Sequence, residues 1–219
     1  MEFVLRRSHF VVLACLLFFS GCATLHLFVG GSDRGSYFPL AVGDEWEYRL
    51  VTTAERGTRS DTTTIATYEH RIIGTTRLAD GKPAYVRVWI SEVTLRDTLL
   101  PDSSFSQTET TYLRRSASAV YRYVNRQSRP DSILLLPPRI DQRWTSEGVS
   151  FWVAAREDLQ IVDQSYPDCW RIKSGPVDDP VPSLTWFARG YGLVRLLSDR
   201  TVAGKHLRTD YYVTDAKIR

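Results

Sequence analysis

From Tyr37 onward the chain is broken about every ten residues by clusters of turn formers, and the runs between them alternate with a period of two rather than 3.6. The clusters are Ala79-Asp80-Gly81-Lys82-Pro83, Pro101-Asp102, Arg129-Pro130-Asp131, Pro137-Pro138, Glu147-Gly148, Pro167-Asp168 and the stretch from Gly175 to Pro182. Such punctuation leaves little room for helices and favours short strands joined by tight connections.

Glu45 to Leu50 is the clearest run: Trp46, Tyr48 and Leu50 fall on one face, Glu45, Glu47 and Arg49 on the other. Thr62 to Thr76 is rich in Thr, Ile and Tyr, and Lys82 to Leu95 sets Val86, Val88 and Ile90 against Tyr85, Arg87 and Trp89. The Asp80-Gly81 turn between those two predicts a long hairpin. Further strands are expected at Phe105 to Leu113, Ala119 to Asn125, Val149 to Ala155, Cys169 to Ser174, Leu184 to Ala188, Leu193 to Asp199 and Leu207 to Val213. Ala155 to Val162 reads equally as a short helix, through Ala155, Leu159 and Val162, or as a strand edge.

Parallel strands need crossover helices that this pattern lacks, so the fold class expected is all-β, a mostly antiparallel meander forming a curled half-barrel, a barrel or a sandwich. One domain, residues 37–219, suffices at ~100–200 residues per domain. The chain's 26 aromatic residues supply large side chains for its core, apart from those of the N-terminal segment.

Residues 1–36 have a different character. Arg6 and Arg7 precede an apolar run from Phe10 to Phe19 that ends in Ser20, Gly21, Cys22. A positive start, a short apolar stretch and small residues before a cleavage point are the layout of a secretory signal. Phe19-Ser20-Gly21-Cys22 resembles the lipobox of bacterial lipoprotein signal peptides, with Phe19 where the family has Leu, Val or Ile. The resemblance implies removal of residues 1–21 and a diacyl or triacyl group on Cys22. Residues 22–36, with Gly30, Gly31, Ser32, Asp33, Gly35 and Ser36, then form a flexible tether. The alternative is an uncleaved anchor helix, since Phe10 to Val29 holds no Lys, Arg, Asp or Glu over 20 residues.

Cleavage leaves 198 residues, removes Glu2, Arg6 and Arg7, and lowers the formal charge from +3 to +2, a balance that demands no polyanion. Cys15 goes with the signal and Cys22 takes lipid, so Cys169 has no partner for an intramolecular disulfide and reads as a small buried hydrophobe beside Trp170.

Two motifs carry a second resemblance. Tyr37-Phe38-Pro39-Leu40-Ala41-Val42-Gly43-Asp44-Glu45-Trp46-Glu47-Tyr48 is similar to the opening of a group of uncharacterised bacterial secreted lipoproteins. Trp186-Phe187-Ala188-Arg189-Gly190-Tyr191-Gly192-Leu193-Val194 resembles that group's closing element, with Tyr191 where the group has Val or Ile. This implies an all-β extracytoplasmic fold and no activity. Read physically, Gly43-Asp44 turns the chain so that Trp46 and Tyr48 point inward, and Gly190 and Gly192 supply positive φ to a tight hairpin. Trp46, Tyr48 and Trp186 are core aromatics or the lining of a ligand cavity.

No chemistry-bearing motif stands out. The mature chain holds His26, His70 and His206 without metal-ligand spacing, and it lacks a Gly-x-Ser-x-Gly elbow or phosphate loop. Asp178 and Asp179 lie in a Pro-rich loop suited to solvated turns. No catalytic residue, metal or cofactor is assigned. Between Thr110 and Pro130, Arg114, Arg115, Arg122, Arg126 and Arg129 interleave with Tyr112, Tyr121 and Tyr123 without an acid, so two paired strands here would make a basic ribbon able to grip an anionic envelope glycan or lipid. The bland alternative is a solvated face in an Arg-rich chain.

The expected function is a membrane-tethered, non-enzymatic binding or assembly module of the bacterial envelope. The alternatives are a carrier or chaperone of an apolar envelope molecule, and a hydrolase whose site assembles in space around His70 or His206. The partners expected are the membrane, through Cys22, and an envelope lipid, glycan or protein, with no nucleic acid. Ala23 and Thr24 after Cys22 lack the Asp that in Gram-negative lipoproteins commonly signals inner-membrane retention, so the resemblance to lipoproteins implies the outer membrane facing the periplasm, the alternative being the inner membrane with an uncleaved helix.

Overall fold

The computed structural model describes residues 36–56, 59–96, 102–176, 182–202 and 205–219. These belong to the second of two compact units, Asp33–Arg219. The lipobox, Cys22 and most of the tether lie outside the described residues, as do Asp178 and Asp179. Among the described residues no helix is long and apolar enough to cross a membrane.

Among the described residues twelve strands run β1 (Glu45–Arg56), β2 (Arg59–Arg77), β3 (Pro83–Leu95), β4 (Ser103–Arg115), β5 (Ala119–Tyr123), β6 (Asp131–Leu135), β7 (Arg143–Ser146), β8 (Val149–Ile161), β9 (Gln164–Gly175), β10 (Ser183–Ala188), β11 (Gly192–Val202) and β12 (Lys205–Lys217). They form a single antiparallel sheet in the order β6-β5-β4-β3-β2-β1-β12-β11-β10-β9-β8-β7. Each strand thus pairs with its sequence neighbour, except that β1 also pairs with β12, and β6 and β7 are left as the two edges. The sandwich is excluded, because one continuous sheet carries every strand.

The two edges meet through side chains instead of a backbone ladder. Ser132 N–H donates to Ser146 Oγ at 2.9 Å, Trp144 Nε1–H donates to the Ser132 carbonyl at 2.9 Å, and the Ser146 hydroxyl donates to Asp131 Oδ1 at 2.6 Å. The sheet is therefore a nearly closed barrel with one seam, and the seam covers backbone groups that would otherwise template pairing with another chain.

Inside, Leu40, Ile72, Leu113, Val120, Leu134, Val153, Ile172, Val194 and Val213 are buried together with Trp46, Tyr48, Trp170, Trp186 and Phe187. Cys169 is free and fully buried, and burial pushes its thiol up to about 12, which keeps it an unreactive packing group.

The predicted turns at Gly43, Gly81, Gly148, Gly190 and Gly192 all have positive φ, between 78° and 90°. Two local readings differ, and one open alternative is resolved. Ala155 to Ile161 is strand rather than helix: β8 has register shifts at Val153/Ala155 and Glu157/Leu159, and these bulges interrupt its alternation. Pro167-Asp168 lies within β9, where Asp168 takes φ 62° beside the second bulge, and the turn sits instead at Val162, with φ 49°. Strands β6 and β7, five and four residues long, fall between proline clusters and carry too few positions to show a period.

Candidate functional site

The register across β1 to β4 sets out the inner face row by row. Leu50, Ala66, Val93 and Phe105 form one row; Tyr48, Tyr68, Ser91 and Gln107 the next; Trp46, His70, Trp89 and Glu109 the third; Ile72, Arg87 and Thr111 the fourth. On β12, Tyr211 stands opposite Leu50. Period-two alternation thus brings the polar and aromatic positions of β2 and β3 inside, while Val86, Val88 and Ile90 take the outer face.

These side chains touch. The Tyr48 ring stacks on Tyr211 with centroids 4.7 Å apart and planes 13° apart, and lies 4.8 Å from the His70 ring. Tyr68 packs edge-on against Tyr211 at 5.4 Å and lies tilted against Trp89 at 5.7 Å. His70 Nε2 and the Tyr211 hydroxyl share a 3.3 Å hydrogen bond. Arg87 Nε–H donates to Thr111 Oγ1 at 3.1 Å.

Arg122 joins this face from β5. It pairs with Leu113 on β4 and Asp131 on β6, and its Nη2 donates to Asp131 Oδ2 at 2.5 Å. Asp131 is nearly buried, and its other oxygen accepts from Ser146 at the seam. Arg122 Nε is buried without a hydrogen-bond partner.

Burial, then the field of Arg87, pushes His70 down to about 3, so the imidazole is neutral at physiological pH. Burial also raises Tyr48 and Tyr211, leaving both hydroxyls protonated, and lowers Arg87, with the like-charged Arg122 adding to that lowering. The inner cluster therefore holds two guanidiniums against one carboxylate. Among the described residues Arg87 has no carboxylate within ion-pair distance. Glu109, the inner-face acid nearest by register, is exposed and accepts from Gln107.

The five arginines of the expected basic ribbon do not share a face. Arg114 lies 5.5 Å from the Tyr121 ring on the outer side, Arg122 turns inward, Arg115 bonds Ser36 Oγ at 3.0 Å, Arg126 donates to the Arg77 carbonyl at 3.1 Å, and Arg129 is exposed in the β5–β6 connection. Antiparallel pairing of Leu113 with Arg122 and of Arg114 with Tyr121 divides them.

Trp46, Tyr48 and Trp186 are all buried. Trp46 Nε1–H donates to the Tyr191 carbonyl at 2.6 Å, the Tyr48 hydroxyl to the Leu193 carbonyl at 3.1 Å, and Trp186 Nε1–H to Glu157 Oε1 at 2.8 Å. The opening and closing motifs thus dock on each other: Gly190 N–H donates to the Ser36 carbonyl at 2.7 Å, and the Phe38 and Phe187 rings are 6.1 Å apart.

His206 Nδ1 is 3.3 Å from Glu55 Oε2, both partly exposed. Among the described residues neither His70 nor His206 reaches both a carboxylate and a serine, and no group of three His, Cys, Asp or Glu is arranged for a metal. Two grooves lie elsewhere. One, of about 670 Å³, holds Trp152 between the cations of Arg143 and Lys173, 5.0 and 4.8 Å from its ring. The other, of about 410 Å³, is lined by Tyr37, Pro137, Arg156, Trp170 and Arg189.

Sequence reasoning placed Arg87 on the Tyr85 and Trp89 face of its strand without singling it out. The available signal was a lone arginine alternating with two aromatics opposite a Val, Val, Ile face.

No known family model matches the chain, and no curated protein matches it. Two solved structures resemble it in fold. An exported protein of YmcC-like fold from Bacteroides fragilis covers 82% of this chain and 98% of its own, at 12% identity and TM-score 0.44. A lipoprotein from Parabacteroides distasonis covers 83% of this chain and 98% of its own, at 10% identity and TM-score 0.39.

Proposed function

We propose that this chain is a bacterial envelope lipoprotein, acylated on Cys22, whose β-domain is a non-enzymatic binding module held at the membrane, with the outer membrane facing the periplasm as its place. The tether rests on the signal layout ending in Phe19-Ser20-Gly21-Cys22. Two or more acyl chains on one cysteine give stable anchoring, where a single chain gives marginal binding. The docking of the two end motifs fits a shared structural role in the secreted lipoproteins they resemble.

The observation that carries the binding role is the inner face itself. A sheet that curls round a core ordinarily fills its concave side with apolar groups, yet this one keeps Arg87, Arg122 and His70 there among aromatic rings that include Tyr48, Tyr68, Trp89 and Tyr211, several of these residues partly open to solvent. The same observation favours the carrier reading, in which an apolar envelope molecule occupies the concavity.

Labelling of cells with radioactive palmitate, followed by membrane fractionation, tests the tether. Wild type is expected labelled in the membrane fraction, and Cys22→Ser unlabelled. A labelled Cys22→Ser protein, or an unlabelled wild type of full length in the membrane, overturns the lipoprotein in favour of the anchor helix.

A further inference from the structure

Arg87 is surrounded by protein and still keeps part of its surface in contact with solvent, as expected of a side chain lining the inside of a curled sheet. Its one hydrogen bond among the described residues goes to a neutral hydroxyl, Thr111 Oγ1. The neighbouring charge is Arg122, whose carboxylate, Asp131, is already shared with Ser146. A guanidinium carries five donors, and holding one largely away from bulk water without a counter-ion is unfavourable. The cluster is short of one negative charge, and no inner-face group within reach supplies it: His70 and both tyrosines are neutral there and Glu109 is engaged in solvent.

Beyond Arg87 the rows pass from His70, Trp89 and the exposed Glu109, through Tyr68, Ser91 and the exposed Gln107, to the apolar Ala66, Val93 and Phe105, with Phe105 half exposed. From Thr111, opposite Arg87, to Phe105 is six residues, or roughly 20 Å of strand at ~3.3 Å per residue. One cation at the inner end of an aromatic and aliphatic track is the shape of a site for an anionic head on a long apolar chain.

We propose that the inner face binds a long-chain carboxylate, its head on the free Nη groups of Arg87 and its chain along Trp89, Tyr68, Val93 and Phe105 toward the open end. This rests on the carrier reading above and names its ligand class. A planar carboxylate meets a guanidinium with two parallel hydrogen bonds, and Arg122 adds to the local positive potential.

The test is photo-crosslinking on the full-length protein in its membranes, with palmitate bearing a diazirine in its chain and, separately, the methyl ester of the same probe. The acid probe is expected to label peptides containing Trp89, Val93 or Phe105. Unlabelled palmitate should compete at least tenfold better than methyl palmitate, Arg87→Gln should lose at least tenfold of the labelling, and Arg87→Lys, which keeps the charge without the two parallel hydrogen bonds, should fall between wild type and Arg87→Gln. If acid and ester label the inner face equally, the role of Arg87 is overturned and the carrier reading stands. If neither labels it, both fall. The competition is read on wild type, so the proposal stays falsifiable even where Arg87→Gln does not fold.

Discussion

The indole N–H of Trp46 donates to the carbonyl oxygen of Tyr191 at 2.6 Å, joining segments 145 residues apart in the chain. Trp46 is 6% exposed, at the start of β1, and Tyr191 sits between the two positive-φ glycines of the β10–β11 hairpin. The bond therefore fixes the incoming strand onto the far half of the sheet. Trp46→Ala should cost about 3–5 kcal/mol through the cavity it leaves. Trp46→Phe, which keeps most of the volume and orphans the carbonyl, should cost about 1–3 kcal/mol. Urea denaturation measures both, and an unchanged midpoint for Trp46→Ala contradicts the assignment.

The seam makes a separate prediction. Ser146 accepts from the Ser132 amide and donates to Asp131, so Ser146→Ala leaves two partly buried polar groups unmatched. A loss of about 1–3 kcal/mol is expected, with faster hydrogen exchange at the Ser132 amide than in wild type. Unaltered exchange there means that the edges are held by something else.

His70 gives the domain an acid sensitivity of known sign. Its pKa is about 3 in the fold and ordinarily near 6.5 in an unfolded chain, so below pH 6.5 the unfolded state takes up protons that the folded state refuses. Stability should be level above pH 6.5 on this account and fall progressively between pH 6.5 and about 3. The melting temperature of wild type should drop from pH 7 to pH 5, and His70→Gln should drop less. Equal drops in the two proteins remove His70 as the cause.

Arg87 should behave unlike a structural arginine. With no acidic partner to be left behind, Arg87→Met exchanges an isolated interior charge for an apolar group of similar length, and stability without ligand should hold or rise, by zero to about 2 kcal/mol. A loss of 2 kcal/mol or more by denaturant unfolding indicates that Arg87 supports the fold directly.

Much of the fold was legible in the sequence because antiparallel neighbours with short turns leave local marks. The Glu45 to Leu50 alternation and the glycines of the tight turns gave strands and reversals where the structure has them. Closure was not legible: it depends on Ser132, Trp144 and Ser146 meeting across the seam from strands too short to declare themselves. The site was hidden for another reason. Whether Arg87 or Val88 faces inward is decided by its pairing with Ile72 and Thr111, and a strand with aromatics on one side and aliphatics on the other offers two apolar faces. The same register logic split the arginine run, sending Arg122 inside and Arg114 out.

The most direct test of a tethered binding domain is mass spectrometry of the protein extracted from bacterial membranes, first native and then denatured. The denatured mass should match a chain beginning at an acylated Cys22, and the native mass should exceed it by an apolar, acidic molecule that is released on unfolding. A full-length unmodified chain with nothing bound contradicts the account in both halves.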